Sequence, residues 1–415
     1  MLVITRKNII EYLKKRMPAF DTSLPVTVSQ VGEGTEEEDG DGYVNYIFRV
    51  RTEKEAYVVK QGRRMARMAQ TPMGLYRTRL EYDSMKIRRA IVPEYIPFLK
   101  FYDEENNLFV MEDVSDLKIS RFQFNKNRMF PAFGRQCGEC MARTEFYTSE
   151  YFLEKEEYRK LQCRFENTEL RGIMEDGMFL DFFGCGIDRN LGKDFEAFAR
   201  QVTEDSRYET ERYKLRRSFM SHADALIHAD MHTSNIFISE DAMKLIDMEF
   251  SFMGPFGYDL GYLTGNLLSQ YCAACFREFP SEEERKTFKS YLLATIKSLY
   301  RTYFSTFEKC WNQDVKERYR GKDGLRRSIF EEVMRDSPGY ASMVNWFRCV
   351  GDIPYPDFDT IREDEKRKQA QMLSLVMDWQ LMFRRYQFED VDDLIDVVLF
   401  AEKEFFLRRR GGGDV

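Results

Sequence analysis

Apolar and polar residues alternate along two short segments near the start of the chain. These segments cover residues 43–50 and 56–60, and a short charged stretch separates them. Alternation with a period of two predicts a pair of antiparallel strands joined by a turn. A helical spacing follows from Leu75 to Arg89, and the apolar segment from Asn107 to Met111 predicts a further strand. The first part of the chain is therefore predicted to be rich in strands.

From about residue 115 the spacing of apolar residues becomes mainly helical, with two short apolar strands in the middle. Long amphipathic stretches cover residues 132–150, 191–220, 258–277, 281–310 and 367–409. We therefore predict an α+β chain with two lobes. The predicted divisions are a smaller strand-rich lobe at 1–114, a larger mainly helical lobe at 115–407 and a flexible tail at 408–415.

Composition narrows the classes of partner. The 415 residues include 63 Lys and Arg against 70 Asp and Glu, a net charge of −7. No basic field is therefore available to attract nucleic acid or an anionic membrane. No apolar run approaches the roughly 20 residues that cross a bilayer, and the N-terminus is too poor in apolar residues for a signal peptide. These features predict a cytoplasmic protein and leave a homodimer open.

The eight cysteines include two closely spaced pairs, 137/140 and 272/275, that could suggest zinc. The pairs are far apart in the chain, and each falls in a stretch with helical spacing. Reduced, mostly buried thiols are therefore the prediction.

The clearest chemical signal is a polar segment that lies between apolar strands. Asp230 precedes Asn235 by five positions, and Asp247 and Glu249 follow a second apolar strand. Phosphoryl transfer from a magnesium nucleotide uses these residue types: one carboxylate takes the acceptor hydroxyl's proton, and an amide and further carboxylates hold the metal. We predict that Asp230 is the base and that Asn235, Asp247 and Glu249 are the metal ligands.

Three neighbouring residues are predicted to support this segment rather than to react. His228 and His232 flank Asp230, and histidine in such a loop usually orients the backbone through hydrogen bonds. Asp259 begins the next helical stretch, where we expect it to cap the helix or to anchor the loop.

Lys60 ends the second predicted strand, and Glu81 lies 21 residues further along, in the predicted helix. Glu81 could hold the lysine's ammonium group against nucleotide phosphates. Gly40 and Gly42, just before the first strand, are the glycines predicted to lie on the phosphate side. A loop crowded with acidic residues precedes them, and those side chains are expected to face water.

A connector at residues 111–114 follows the strand that ends the first lobe. Where a strand becomes an extended connector, its backbone C=O and N–H groups can pair with an adenine ring. We therefore predict adenine contacts at Met111, Glu112 and Val114, with an ordinary loop as the alternative.

Together these residues resemble the aminoglycoside phosphotransferase and choline kinase family, and within it the methylthioribose kinase branch. The resemblance is carried by segments 40–50, 58–61, 80–81, 110–113, 149–152, 228–233 and 247–259. It implies a bilobal protein-kinase-like fold and phosphorylation of the 1-hydroxyl of methylthioribose, using ATP and Mg²⁺. It also implies that Asp230 is the base, that Asp247 and Glu249 bind magnesium, that Lys60 and Glu81 position the phosphates, and that Asn45 lies on the nucleotide side.

Several positions depart from the family pattern. Met248 stands where proline is usual between the two acids, and Asn235 stands where the methylthioribose branch is expected to have a smaller residue. Ala229 stands where the family usually has glycine, a small change if the backbone there does not have a positive φ. Phe347 and Arg348 stand where two adjacent arginines are usual. Arg348 is therefore the predicted sugar-binding residue, and the missing guanidinium leaves another 5-deoxypentose or thiosugar open as the acceptor.

Other functions remain as alternatives. A choline or amino-alcohol kinase would need an aromatic and acidic cage for a cation, which composition does not reject. A protein kinase is disfavoured because only 12 positions separate Asp247 from Asp259, too few for a long activation segment. A catalytically inactive nucleotide-binding scaffold should lack at least one of Lys60, Asp230, Asn235 or Asp247, and all four are present.

Overall fold

The computed structural model describes residues 1–32, 44–68, 70–181, 193–350 and 356–410. The chain divides into two compact units. The first unit contains Met1–Phe122 and Ser234–Ser251, and the second contains Gln123–Thr233 and the chain from Phe252 onward. The first unit therefore continues beyond residue 114, where the sequence placed the boundary, and it includes the two strands that precede Asp247.

A five-stranded antiparallel sheet forms the centre of the first unit, in the order β1-β2-β3-β5-β4. Its strands are β1 Thr27–Gln30, β2 Tyr46–Arg51, β3 Ala56–Gln61, β4 Leu99–Asp103 and β5 Leu108–Glu112. The helices α1 Ile9–Arg16 and α2 Tyr76–Ile91 belong to the same unit. The strands and the helix predicted from the hydrophobic pattern are all present, with ends that differ from the predicted ones by at most three residues.

The central strand β3 is buried along most of its length, which is unusual for a segment that contains a lysine. Tyr57 and Val59 pack into a core cluster with residues of α1. Since side chains alternate across a strand, Lys60 points to the opposite face from these two residues. Lys60 is only 3% exposed, so its ammonium group requires partners inside the protein.

A second, smaller sheet in the first unit supports the predicted metal-binding segment. It contains β6 Lys118–Ile119, β8 Ile236–Ile238 and β9 Met243–Leu245, in the order β6-β8-β9. These short apolar strands lie on either side of a turn, and Asp247 follows two residues after β9. The strand–turn–strand arrangement predicted around residues 236–247 is therefore confirmed.

The second unit is mainly helical. Among its described residues, strand β7 Ala225–Ile227 pairs with β10 Phe252–Gly254. Its helices are α4 Phe133–Thr148, α5 Lys155–Arg164, α6 Thr168–Asp176, α7 Lys193–Thr203, α8 Ser206–Ser221, α9 Tyr258–Phe276, α10 Glu282–Asp314, α11 Asp323–Val350, α12 Asp364–Arg384 and α13 Val391–Arg410. A short helix, α3 Ser120–Asn125, spans the division between the units.

Helix α9 lies at the centre of the second unit and is buried along nearly its whole length. It packs against α10, α11 and α12. Gly261 permits the close approach to α11, because a Cβ atom at this position would lie 2.3 Å from the backbone oxygen of Ser337. This packing fixes the orientation of the next residue, Tyr262.

The flexible tail predicted from residue 408 lies mostly outside the described residues and stays a prediction. Helix α13 continues to Arg410, and residues 411–415 lie outside the described part. The described cysteines are free thiols, as predicted, and burial raises the pKa of Cys137 and Cys272. In the part of the chain that the structure describes, no helix combines the length and apolarity needed to span a bilayer.

Candidate active site

The first unit brings Lys60 together with two of the predicted carboxylates. The Nζ atom of Lys60 lies 2.7 Å from Oε1 of Glu81 and 2.5 Å from Oδ1 of Asp247. The lysine comes from β3, Glu81 comes from α2, and Asp247 follows β9. Burial alone would lower the pKa of Lys60, but Asp247, Glu81 and Glu249 outweigh burial and raise it. Lys60 is therefore a fixed positive charge.

Glu249 completes this group of carboxylates, and two buried residues hold it. The side-chain amide of Asn45 donates to Oε2 of Glu249 at 2.9 Å, and Nε of Arg77 lies 3.3 Å from the same oxygen. Arg77 also donates to the amide oxygen of Asn45 at 3.0 Å. Asn45, predicted on the nucleotide side, thus lies in the same unit and fixes a carboxylate.

The three carboxylates have the chemistry of a divalent-cation site. Glu81, Asp247 and Glu249 each offer an oxygen, and these oxygens lie within 4.8 Å of one another. Oε2 of Glu81 is buried and has no hydrogen-bond partner among the described residues. Burial raises the pKa of Glu81 to about 8 and also raises that of Glu249, so the ionised cluster favours additional positive charge. Oxygen ligands are those that Mg²⁺ prefers, so the residues present fit this ion.

Asn235, the fourth predicted metal ligand, is buried in the first unit. It ends the 3₁₀ turn Thr233–Asn235, and its backbone oxygen accepts a hydrogen bond from the N–H of Ile246 at 3.0 Å. This bond links the loop to the segment that carries Asp247. The contacts described for Asn235 do not test its role as a ligand, which stays a prediction.

The predicted adenine connector forms the end of β5 and the turn that follows. Met111 is paired with Val58 of β3 and with Leu99 of β4. Glu112 donates its backbone N–H to the oxygen of Phe98 at 2.8 Å. Its carboxylate accepts the N–H of Phe98, also at 2.8 Å. The connector is therefore held on its β4 side.

Val114 packs with Ile119 and Phe237 in a small apolar cluster. Its side chain therefore joins the connector to the β6-β8 pair of the first unit. Gly40 and Gly42 lie outside the described residues, so their predicted place beside the phosphates stays a prediction.

Asp230, the predicted base, lies in the second unit. Its Oδ1 atom accepts a hydrogen bond from the hydroxyl of Tyr262 at 2.9 Å, and its Oδ2 atom lies 3.3 Å from Nε2 of His232. Burial would raise the pKa of Asp230, but the neighbouring His232, Arg348 and His228 hold it well below its usual range. The carboxylate is therefore ionised throughout the neutral pH range.

The loop that carries Asp230 is anchored by Asp259 at the start of α9. The two carboxylate oxygens of Asp259 accept the backbone N–H groups of His228 and Ala229, at 2.6 and 2.9 Å. The N–H of Asp230 donates to Nδ1 of His228 at 3.2 Å. The anchoring role predicted for Asp259 and the orienting role predicted for His228 are confirmed, whereas Gly257 occupies the N-cap position of α9.

Ala229 has a left-handed backbone with a φ of 67°. Alanine in place of the usual glycine is therefore not a small change, because the backbone at this position does have a positive φ. This conformation costs an L-residue roughly 1–2 kcal/mol, and the paired hydrogen bonds to Asp259 help to maintain it. Asp247 also has a positive φ, of 63°, and aspartate tolerates this region better than alanine does.

Arg348, the predicted sugar-binding residue, lies near the end of α11. One of its guanidinium nitrogens, Nη2, donates to the hydroxyl of Tyr262 at 3.1 Å, so Tyr262 contacts both Arg348 and Asp230. The guanidinium carbon lies 6.0 Å from the ring centre of Phe347, which itself lies against Gly177. The structure thus brings Arg348 and Asp230 to the same hydroxyl group.

Sequence reasoning missed two of these residues, Arg77 and Tyr262. Arg77 precedes Glu81 by four positions in α2, and residues four apart lie on one face of a helix. Tyr262 follows Asp259 by three positions in α9, which also places the two on one face. Helical spacing from a residue already selected was the signal that could have found both.

The chain is similar to a known family of enzymes. A family model described as the phosphotransferase enzyme family matches residues 35–294. A methylthioribose kinase from Geobacillus thermodenitrificans is 31% identical over 390 residues, which are 92% of this chain and 96% of that protein. A methylthioribose kinase from Bacillus cereus is 30% identical over 367 residues, 88% of this chain and 90% of that protein.

Among solved structures, an ethanolamine kinase from Plasmodium vivax aligns with a TM-score of 0.46 and 13% identity, over 93% of this chain and 92% of that one.

The chain belongs to the phosphotransferase enzyme family. Within that family its similarity is to the methylthioribose kinases, over about nine-tenths of each chain. Three predictions are confirmed: membership of this family, a kinase-like fold, and activity as an ATP-dependent phosphotransferase with an alcohol acceptor. The choline or amino-alcohol alternative is less well supported.

Proposed function

We propose that this protein transfers the γ-phosphoryl group of ATP to the 1-hydroxyl group of methylthioribose. The observation that carries the proposal is the contact of Lys60 with both Glu81 and Asp247 in the first unit. A buried lysine paired with a helix glutamate and placed beside a metal-binding aspartate is the arrangement that kinases use to hold nucleotide phosphates.

In this proposal the first unit supplies the nucleotide-binding residues. Asp247 and Glu249 would hold Mg²⁺ together with Asn235, and the ion would neutralise charge on the β- and γ-phosphates. Lys60 donates to a phosphate oxygen while Glu81 fixes the ammonium group. Asn45 and Arg77 favour the ionised form of Glu249 and fix the orientation of its carboxylate. The connector at Met111, Glu112 and Val114 contacts adenine, through those of its backbone groups that the neighbouring strands and Phe98 do not occupy. Gly40 and Gly42 lie beside the phosphates.

The second unit supplies the residues for the acceptor. Asp230 accepts the proton of the 1-hydroxyl group as the bond to phosphorus forms. Because the pKa of Asp230 is low, it is a weak base, and it takes the proton late, when the hydroxyl has already become acidic in the transition state. Arg348 donates to sugar oxygens. Because Phe347 stands where a second arginine is usual, this pair of positions supplies one guanidinium group to the acceptor instead of two.

Methylthioribose is the proposed acceptor because the chain aligns with methylthioribose kinases over about nine-tenths of its length. The test is a screen for ADP release by the purified protein with ATP, Mg²⁺ and one acceptor at a time. The acceptors are methylthioribose, 5-deoxyribose, ribose and choline. We expect the highest kcat/KM with methylthioribose. A higher kcat/KM with choline, or equal values for ribose and methylthioribose, would overturn the proposed acceptor.

A further inference from the structure

The hydroxyl group of Tyr262 connects the proposed base to the proposed sugar-binding arginine. It lies 2.9 Å from Oδ1 of Asp230 and 3.1 Å from Nη2 of Arg348. Tyr262 is fully buried in α9, one turn after Asp259. The same helix therefore carries the anchor of the catalytic loop, residues 228–235, and a direct contact to the base.

The direction of both hydrogen bonds follows from chemistry. Arginine has donors only, so the oxygen of Tyr262 must accept from Arg348. The hydroxyl has a single hydrogen, which is then directed at the carboxylate of Asp230. Neither partner can reverse these roles while Asp230 is ionised. The orientation of the carboxylate and that of the guanidinium are consequently coupled through one atom.

We propose that Tyr262 is a positioning residue that couples acceptor binding at Arg348 to the orientation of the base Asp230. The inference rests on the proposed function of Asp230 and Arg348. Each carboxylate oxygen has about two lone-pair positions. Tyr262 occupies one position on Oδ1, and His232 lies 3.3 Å from Oδ2. Because the Tyr262 hydroxyl occupies one side of Oδ1, it restricts the directions from which the acceptor's hydroxyl can approach that oxygen.

The ring of Tyr262 is held independently of its hydroxyl, which makes a conservative variant informative. It packs edge-on against Tyr258, with ring centres 6.0 Å apart, and Gly261 fixes the helix beside it. Tyr262→Phe should therefore keep the fold and remove only the two hydrogen bonds. We expect kcat to fall about 10- to 100-fold, the range that corresponds to one hydrogen bond to a charged group. KM for ATP should stay unchanged.

The test is a double-mutant cycle of Tyr262→Phe and Arg348→Ala, with kcat and both KM values measured for each variant. Arg348→Ala alone should raise KM for the acceptor more than KM for ATP. Arg348→Ala should also reduce kcat/KM for the acceptor in the Tyr262→Phe background. The fold-reduction there should be about ten times smaller than the fold-reduction in the wild-type background. Such non-additivity supports the coupling. Purely additive effects, or an unchanged kcat for Tyr262→Phe, would overturn it.

A matched control comes from Tyr258, in the same helix. Tyr258 is also fully buried, and its hydroxyl contacts the sulfur of Met178 at 3.7 Å. Tyr258→Phe should leave kcat close to the wild-type value, and a loss as large as that of Tyr262→Phe would assign the effect to helix packing and overturn the inference. The assays use whichever acceptor gives the highest turnover, so rejection of methylthioribose would overturn the proposed acceptor alone.

Discussion

The ammonium group of Lys60 lies 2.5 Å from the carboxylate of Asp247, although 187 positions separate the two residues in the chain. The contact joins the central strand of the first unit to the segment that follows β9. Two further carboxylates, of Glu81 and Glu249, share the same buried region with the cations Lys60 and Arg77. When all three carboxylates are ionised, they outnumber the two cations, and this excess negative charge accounts for the proposed preference for a divalent ion.

Replacing Lys60 by methionine should destabilise the metal-free protein and abolish most of the activity. Loss of one partner from a buried ion pair leaves the other charge uncompensated, at a cost of about 3–5 kcal/mol. Mg²⁺ should offset part of this loss because it supplies the missing positive charge. We therefore expect Mg²⁺ to raise the melting temperature of Lys60→Met more than that of the wild type, as measured by differential scanning fluorimetry.

The matched control is Lys54→Met, since the side chain of Lys54 is 70% exposed. This variant should respond to Mg²⁺ as the wild type does. An equal Mg²⁺ response in Lys60→Met would show that Lys60 does not neutralise the proposed metal site.

The raised pKa of Glu81 predicts that the free energy of unfolding of the metal-free protein depends on pH. Burial raises its folded-state pKa from 4.5 to about 8. Between these values the folded state keeps a proton that the unfolded state has released, so this contribution to stability is lost as the pH rises. Glu81→Gln removes it. The stability of Glu81→Gln relative to the wild type should therefore increase from about pH 5 to pH 8.

Urea unfolding in buffer with a chelator measures this difference at each pH. The exposed Glu105→Gln variant is the control, and its stability relative to the wild type should not vary over the same range. A relative stability of Glu81→Gln that stayed constant, or decreased with pH, would contradict a raised pKa for Glu81.

Asp259→Ala should destabilise the second unit and reduce turnover. The change leaves the N–H groups of His228 and Ala229 without their acceptor, and each unsatisfied buried donor costs about 1–3 kcal/mol. It also removes the hydrogen bonds that help to hold Ala229 at positive φ. The urea midpoint and kcat should therefore fall together. A lowered urea midpoint with a wild-type kcat would show that the hydrogen bonds to Asp259 do not determine the geometry of Asp230.

Much of the site could be predicted from the sequence because short-range patterns specify it. The alternation around β3 predicted the strand that carries Lys60, and the family resemblance implied that Glu81, in the predicted helix, is its partner. The carboxylates at 247 and 249 were identified from the strand that precedes them. A cytoplasmic location, a possible homodimer and the absence of nucleic-acid partners stay predictions from composition.

The remaining features depend on tertiary packing, which local patterns do not encode. Tyr262 resembles any buried tyrosine in an apolar helix until α11 brings Arg348 to its hydroxyl group. Hydrogen bonds to Asp259, 30 residues later, help to maintain the positive φ of Ala229, against the preference of alanine itself. The predicted boundary at residue 114 followed chain order, whereas residues 234–251 pack with the first unit although they follow much of the second.

The most direct test of the proposed reaction is ³¹P NMR of the wild type and Asp230→Asn with ATP, Mg²⁺ and methylthioribose. We predict that the wild type converts the γ-phosphate signal into that of a sugar 1-phosphate. Asp230→Asn should bind nucleotide normally but form this product about 10²- to 10⁴-fold more slowly, the range typical of losing a general base. The exposed Glu240→Gln variant should match the wild type. Product formation by Asp230→Asn at the wild-type rate, or release of inorganic phosphate without sugar phosphate by the wild type, would contradict the account.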